Sequence, residues 1–400
     1  MTDDLGLFAD EPGEHRRRRP DPERFRRRKR RRWVTALAGL FVLLLVGGGV
    51  GYGAMQIMQI GSYDDYEGGG EGTAVIEVKS GETVSEIGST MSEKDVVAST
   101  RAFISAAAEN KQINSIQPGY YMMRKQMSGQ AAVERILSAD AKVGRVEIRG
   151  GMRLEDQLAP NDKKTPGILT MLAEGTCSKD KSNCTSPERM KEVAATADLA
   201  SLGVPDWAIE GASQAEPDRR LEGLIMPGIY DVKPGAKAED VLREVISRSV
   251  AQMEATGLQQ AAESSEHSAY EMLIIGSIVQ SEGIEKDFGK VARVIENRLQ
   301  PPQMRLGMDS TINYPLEKPA LLTDPEDRER PGPYNTYLNY GLPPTPISTV
   351  SKAALQAVEQ PPEGEWKYFV KCRKDGTSCF GKTKAEHDAF VDQAKQNGAW

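Results

Sequence analysis

Apolar residues fall in blocks along the chain, and their spacing changes from block to block. Ala74, Ile76 and Val78 alternate with polar neighbours, which predicts a strand. Ser80-Gly81 marks a turn. Thr83, with Glu86 three residues on, reads as a capping box opening a helix. "VVASTRAFISAAAEN" continues as an amphipathic helix, and "IQPGYYMM" turns into a second strand. "SGQAAVERILSA" places Ala132, Ile136 and Leu137 on one helical face. Residues 73–143 are thus predicted as a β-α-α-β-α module.

A larger block follows over 144–400. It opens with "GRVEIRGGMRLEDQLA", read as a strand, and runs through short helices and polar loops from 160 to 220. "RRLEGLIMPGIYDVKPG" reads as strand and turn. Val241, Leu242, Val245, Ile246 and Val250 then keep helical spacing. Two more helices are predicted, from Ser268 to Ser281 and from Lys286 to Leu299. The expected class is α+β, a small module followed by a larger mixed domain, with no long-period repeat.

One block has no polar face. Trp33 to Met58 carries no charge over 26 residues, enough for a helix to cross a roughly 30 Å hydrocarbon layer. Residues 1–32 before it hold twelve Lys or Arg against seven acids, a net +5 that leaves −12 on the rest of a chain whose total is −7. Basic residues beside an apolar span stay on the cytoplasmic side, which predicts a single-pass anchor with the body outside the cell membrane. A cleaved signal peptide fits less well, because the apolar run exceeds the usual core of such peptides. The tail lacks the aromatic platforms of a nucleic-acid binder, so no nucleic-acid partner is expected. Residues 59–72 read as a Gly-rich linker.

Four cysteines fall in two local pairs, Cys177 with Cys184 and Cys372 with Cys379. Such pairs suit disulfides in an oxidising compartment. A four-Cys zinc site normally wants closer spacing within each pair. The three histidines are scattered and form no H-E-x-x-H pattern, and there is no G-x-S-x-G elbow and no phosphate- or dinucleotide-binding glycine motif. No metal and no cofactor is expected.

The stretch "IIGSIVQSEG" carries the candidate chemistry. On a helix, Ile275, Ile278, Val279 and Glu282 fall at i, i+3, i+4 and i+7, so the carboxyl ends an apolar stripe. Burial and the negative end of a helix both disfavour ionisation, which suits an acid that holds its proton. The alternative is a frayed helix end with Glu282 pairing to Arg293 or Arg298. Downstream, Asn297 and Arg298 end a helix, Asp309, Ser310 and Thr311 follow a glycine turn, and Tyr334, Asn335, Thr336 and Tyr337 sit beside "GLPP". Amides, hydroxyls and aromatic faces in fixed loops suit a sugar-binding cleft. They equally suit an ordinary surface loop.

The ordered set "IIGSIVQSEG", "VARVIENRL", "MRLGMDSTINY" and "YNTYLNYGLPPTPIS" closely resembles the endolytic murein transglycosylase, or YceG-like, family. The resemblance spans roughly residues 75–397. It implies a single-pass protein with a LysM-like subdomain and a catalytic domain that cuts nascent peptidoglycan glycan strands, leaving 1,6-anhydro-MurNAc ends. It implies Glu282 as the catalytic residue, for which we expect the role of acid and then base; a scaffold role beside peptidoglycan synthases is a separate option that can coexist with catalysis. Gln280 stands where the family carries another Glu. In "LEGLIMPGIY", Glu222, Gly223, Pro227 and Tyr230 match the family, while Gly228 replaces an Asp. For Glu222 a place in the cleft and a structural role are both open. Rival readings are a non-catalytic peptidoglycan-binding or scaffold protein, and a muramidase-type hydrolase using Glu282 with Asp309.

Overall fold

The computed structural model describes residues 63–159, 161–178, 183–320 and 323–399. The basic tail at 1–32, the apolar span at 33–58 and the start of the linker lie outside these residues. Among the described residues no helix is long and apolar enough to cross a membrane.

The first module begins earlier than the alternation of Ala74, Ile76 and Val78 predicts. Strand β1 runs Gly69–Val78 and pairs antiparallel with β2, Gly119–Met127, with an irregular register between Glu71 and Ala74. The Gly-rich segment read as linker is therefore partly strand. The residues before it are also held: the Gly129 N–H donates to Asp65 Oδ1 (2.9 Å), and the Tyr66 hydroxyl donates to Asp95 Oδ1 (2.8 Å). Helices α1, Val84–Glu93, α2, Thr100–Ala108, and α3, Gly129–Leu137, cover the sheet. The predicted capping box forms, with Thr83 and Glu86 satisfying each other's backbone N–H groups. Ile76, Met91, Phe103, Met123 and Ile136 form a core of this module's own. A short β3, Lys142–Val143, closes the sheet on β2.

A second core takes up the chain from Val146 to Val358. Of the long strand predicted at its start only β4, Arg145–Ile148, forms. After Ile148 the chain turns through Gly150-Gly151, and the next ladder is the two-residue pair β5, Gln157–Leu158, with β6, Lys164–Thr165. Helices α4, Ile168–Gly175, α5, Pro187–Thr196, and α6, Asp206–Gln214, fill the region predicted as short helices. Strand β7, Gly228–Asp231, returns to pair with β4. Then come α7, Ala238–Glu254, and α8, Leu258–Glu263.

The axis of this domain is α9, Ala269–Glu282. Its apolar residues were expected on one stripe. Instead every residue from Met272 to Val279 is buried, the pattern of a helix surrounded by protein. Helix α10, Phe288–Leu299, packs beside it after a 3-10 turn at Glu285–Asp287. Two short helices follow, α11, Asp309–Asn313, and α12, Pro325–Glu329, then α13, Lys352–Glu359, which lies along α9. The chain ends with the hairpin β8, Tyr368–Lys371, and β9, Ser378–Gly381, and helix α14, Lys384–Asn397.

Both cysteine pairs are disulfides, Cys177–Cys184 and Cys372–Cys379, and among the described residues no Cys, His, Asp and Glu cluster could hold a metal. The second bridge closes the β8–β9 hairpin. That hairpin is tied to the start of α10 by the buried Asp287 carboxylate, which accepts the Ser378 N–H at 2.8 Å.

Candidate active site

Glu282 is the last residue of α9, and Gly283 leaves the helix in extended backbone. The buried helix therefore delivers its terminal carboxyl to a junction instead of to open solvent. Across that junction lies the start of α11. The Ser310 backbone N–H donates to Glu282 Oε1 at 2.9 Å. The residue keeps some surface, yet burial pushes its pKa up, and the nearby Asp309 carboxylate pushes the same way. The Ser310 contacts and the Lys371 ammonium oppose the shift without cancelling it. Neither predicted arginine partner pairs with this carboxyl: Arg293 donates to the Pro361 and Pro362 carbonyls, and Arg298 to the Lys367 and Leu306 carbonyls.

The Tyr-bearing loop meets the same junction. The Tyr337 hydroxyl donates to Asp309 Oδ1 at 2.5 Å, and Arg328 lies over the Tyr337 ring. The loop is held rigidly from behind. Asn335 donates to the Arg328 and Arg330 carbonyls and accepts the Tyr337 N–H, an Asx-type turn. Thr336 Oγ1 accepts the Met308 N–H at 3.0 Å and bonds Thr311 Oγ1 at 2.8 Å, and the Tyr334 hydroxyl bonds Thr345.

The predicted site residues thus separate by position. Asp309, Ser310 and Tyr337 come together around Glu282. Thr311, Tyr334, Asn335 and Thr336 are buried and brace the loops that carry them. Asn297 and Arg298 anchor the 364–367 segment, with Asn297 donating to the Gly364 and Trp366 carbonyls. Gln280 accepts the Ser351 N–H at 3.1 Å and lines a groove of about 320 Å³ with Ser281, Ser310, Asn313 and Arg153.

That groove shares Arg153 and Gln157 with an adjoining one of about 410 Å³, whose lining includes Glu222, Arg219 and Tyr314. Glu222 is 2% exposed. Its Oε2 accepts from the Tyr314 hydroxyl (3.0 Å) and the Leu154 N–H (3.4 Å), and burial lifts its pKa to about 7. Arg153 and Arg219 stack on the Tyr314 ring. These two arginines and Tyr314 escaped sequence reasoning, because isolated basic residues in polar loops carry no periodic signal. A further groove of about 430 Å³, between Tyr120 and Arg248, shares no lining residue with these two.

Fold and site together define an α+β protein with a partly buried carboxyl at the end of a buried helix, between two neighbours, Ser281 and Ser310, that line a polar groove. The chain belongs to the YceG-like family, whose profile matches residues 76–393. It is 26% identical over 354 residues to a Bacillus subtilis protein named endolytic murein transglycosylase, covering 86% of this chain and 89% of that one. A Streptococcus pneumoniae protein of the same name is 25% identical over 328 residues, and the match spans 78% of this chain but 57% of the relative. A solved YceG-like structure from Listeria monocytogenes shares the fold, with a TM-score of 0.53 over 80% of this chain and 99% of that one at 24% identity.

Proposed function

We propose that this protein is a peptidoglycan lytic transglycosylase in which Glu282 serves as acid and then base. The observation that carries the reading is the Glu282 carboxyl, enclosed at the end of α9 with a raised pKa and with Oε1 already accepting from Ser310. Glu282 in its neutral form is the general acid. It protonates the glycosidic oxygen as the bond from C1 of MurNAc to GlcNAc breaks. The C6 hydroxyl of the same MurNAc attacks C1 and gives its proton to the Glu282 carboxylate. The products are a free GlcNAc hydroxyl and a 1,6-anhydro-MurNAc end. Glu282 ends protonated, as it began, and no water is consumed. The attack is intramolecular, so proximity supplies much of the rate. To the Asp309 carboxylate, which accepts from Tyr337, we assign the stabilisation of positive charge developing at C1.

The names of the Bacillus and pneumococcal relatives support a murein substrate. The charge-free run at 33–58 after a basic tail supports a single-pass anchor with the catalytic body outside. Residues 73–143, with a core of their own, fit a LysM-like subdomain, and 144–400 fit the catalytic domain.

The test is muropeptide analysis after incubating full-length protein with uncrosslinked glycan strands. Wild type should yield anhydro ends. Glu282→Gln should keep the fold and lose at least about a hundredfold in rate, the usual minimum for removing a general acid. Hydrated reducing ends would favour the muramidase reading with Asp309. Binding without new ends would favour a scaffold.

A further inference from the structure

Tyr340 is the most exposed large apolar side chain among the described residues, at 59%, and Leu338, two positions earlier, is 41% exposed. Both belong to the loop that carries Tyr337. A tyrosine so exposed is usually free to move, but this ring is fixed on one side: the Arg305 guanidinium lies 5.1 Å from its centroid. Much of the residue stays accessible to solvent.

The ring's position follows from two segments that run side by side. The Gly307 N–H donates to the Thr336 carbonyl (2.9 Å), and the Met308 N–H to Thr336 Oγ1 (3.0 Å). At the inner end of this pair Ser310 meets Glu282, and Asp309 meets Tyr337. At the outer end Arg305 meets Tyr340. Residues 305 to 310 span at most about 17 Å of extended chain. The acid and the exposed ring thus meet opposite ends of one short segment, 305–310.

We propose that Tyr340, held by Arg305, is a further glycan subsite, remote from the cleaved bond, that stacks on the apolar C–H face of a pyranose ring. The ligand class is an amino-sugar polymer long enough to reach both places. A planar ring with two side-chain torsions loses little entropy on stacking, and an open aromatic face needs only an apolar sugar face opposite it. Arg305 adds a cation that attracts the carboxylates of substituted strands. The subsite favours long strands over short ones and leaves the chemistry at Glu282 unchanged. This inference rests on the glycan-cleaving reading of the Glu282 site.

The experiment compares full-length wild type, Tyr340→Ala and Tyr340→Phe on long uncrosslinked strands and on the shortest strand that wild type cuts. Binding of all three proteins to the long strands is measured in parallel. Tyr340→Ala should raise KM and weaken binding for long strands by about three- to tenfold, leave kcat unchanged, and leave the shortest strand unaffected. Tyr340→Phe should behave as wild type, because the ring remains. Equal losses on both substrates, or no loss on either, would overturn the subsite while cleavage by wild type upholds the Glu282 reading. If wild type cuts nothing yet binds strands in a Tyr340-dependent way, the cleavage reading fails and the subsite stands. Absence of both cleavage and Tyr340-dependent binding removes both.

Discussion

The Ser310 backbone N–H donates to Glu282 Oε1 at 2.9 Å, so the last residue of one helix faces the first turn of another. Opposite influences meet at this contact. Burial and the carbonyl end of α9 disfavour the carboxylate, while the Ser310 N–H favours it. Burial is the larger, and the carboxyl keeps its proton above the ordinary glutamate range.

A pH profile follows from that balance. The first step of the proposed mechanism needs the protonated acid, so kcat on isolated strands should fall as pH rises through the raised Glu282 pKa. Asp309 is one cause of the rise. Asp309→Asn removes a negative neighbour, favours the carboxylate, and should move the alkaline limb to lower pH. A limb that stays put, whatever happens to the absolute rate, would show that Asp309 does not act on Glu282.

Glu222 should govern stability, as the proposed mechanism has Glu282 govern rate. Its folded pKa of about 7 lies above the ordinary value of 4.5, so the folded state holds a proton that the unfolded state has released. The stabilisation is full below about 4.5 and is lost as pH rises to about 7, a change of up to about 3 kcal/mol. Glu222→Gln keeps the shape without the titration. Urea midpoints should fall between pH 5 and 8 in wild type and stay flatter in the variant. Parallel curves would place the titration elsewhere.

How much of this was legible in the chain depends on the kind of signal. The capping boxes at Thr83 and Ser268 were readable because two short-range bonds fix residue types three apart, although only the first was picked out from the sequence. The helix ending at Glu282 was readable because its apolar run is long. Its burial on all sides was not, since a stripe and a full surround share the same i, i+3, i+4 positions. The strand expected through Gly150-Gly151 stopped at Ile148 because the chain turns there. Arg153 and Arg219 reach the groove through tertiary packing alone, across Tyr314, and no local pattern announces them.

The Cys372–Cys379 bridge should matter to activity as well as to stability. It closes the hairpin that ends β8 at Lys371, one of the groups acting on Glu282. Replacing both cysteines by serine frees a loop of eight residues, which in the chain-entropy model is worth about 2.5 kcal/mol. A drop of that order in unfolding free energy is expected, with faster amide exchange concentrated in the 368–381 hairpin. Thiol titration of denatured wild type should find no free thiol. Uniform exchange across the chain would separate the hairpin from the bridge.

Gly223 offers the sharpest backbone test, because it sits next to Glu222 and against the wall of the groove. Its φ is +77°, and a Cβ there would fall 2.4 Å from Pro346 Cβ. Pro346 leads into Ile347, whose N–H donates to the buried Ser277 hydroxyl of α9 at 2.9 Å and which lines the groove with Gln280. Gly223→Ala therefore combines left-handed strain with overpacking, together about 2–5 kcal/mol. The proline cannot yield without moving Ile347, so the groove deforms along with the fold. Denaturant midpoints should fall by that amount, and kcat/KM on glycan strands should fall under conditions where the variant is still fully folded. A loss of stability with unchanged kcat/KM would show that the Pro346-Ile347 wall is independent of the path a strand takes to Glu282.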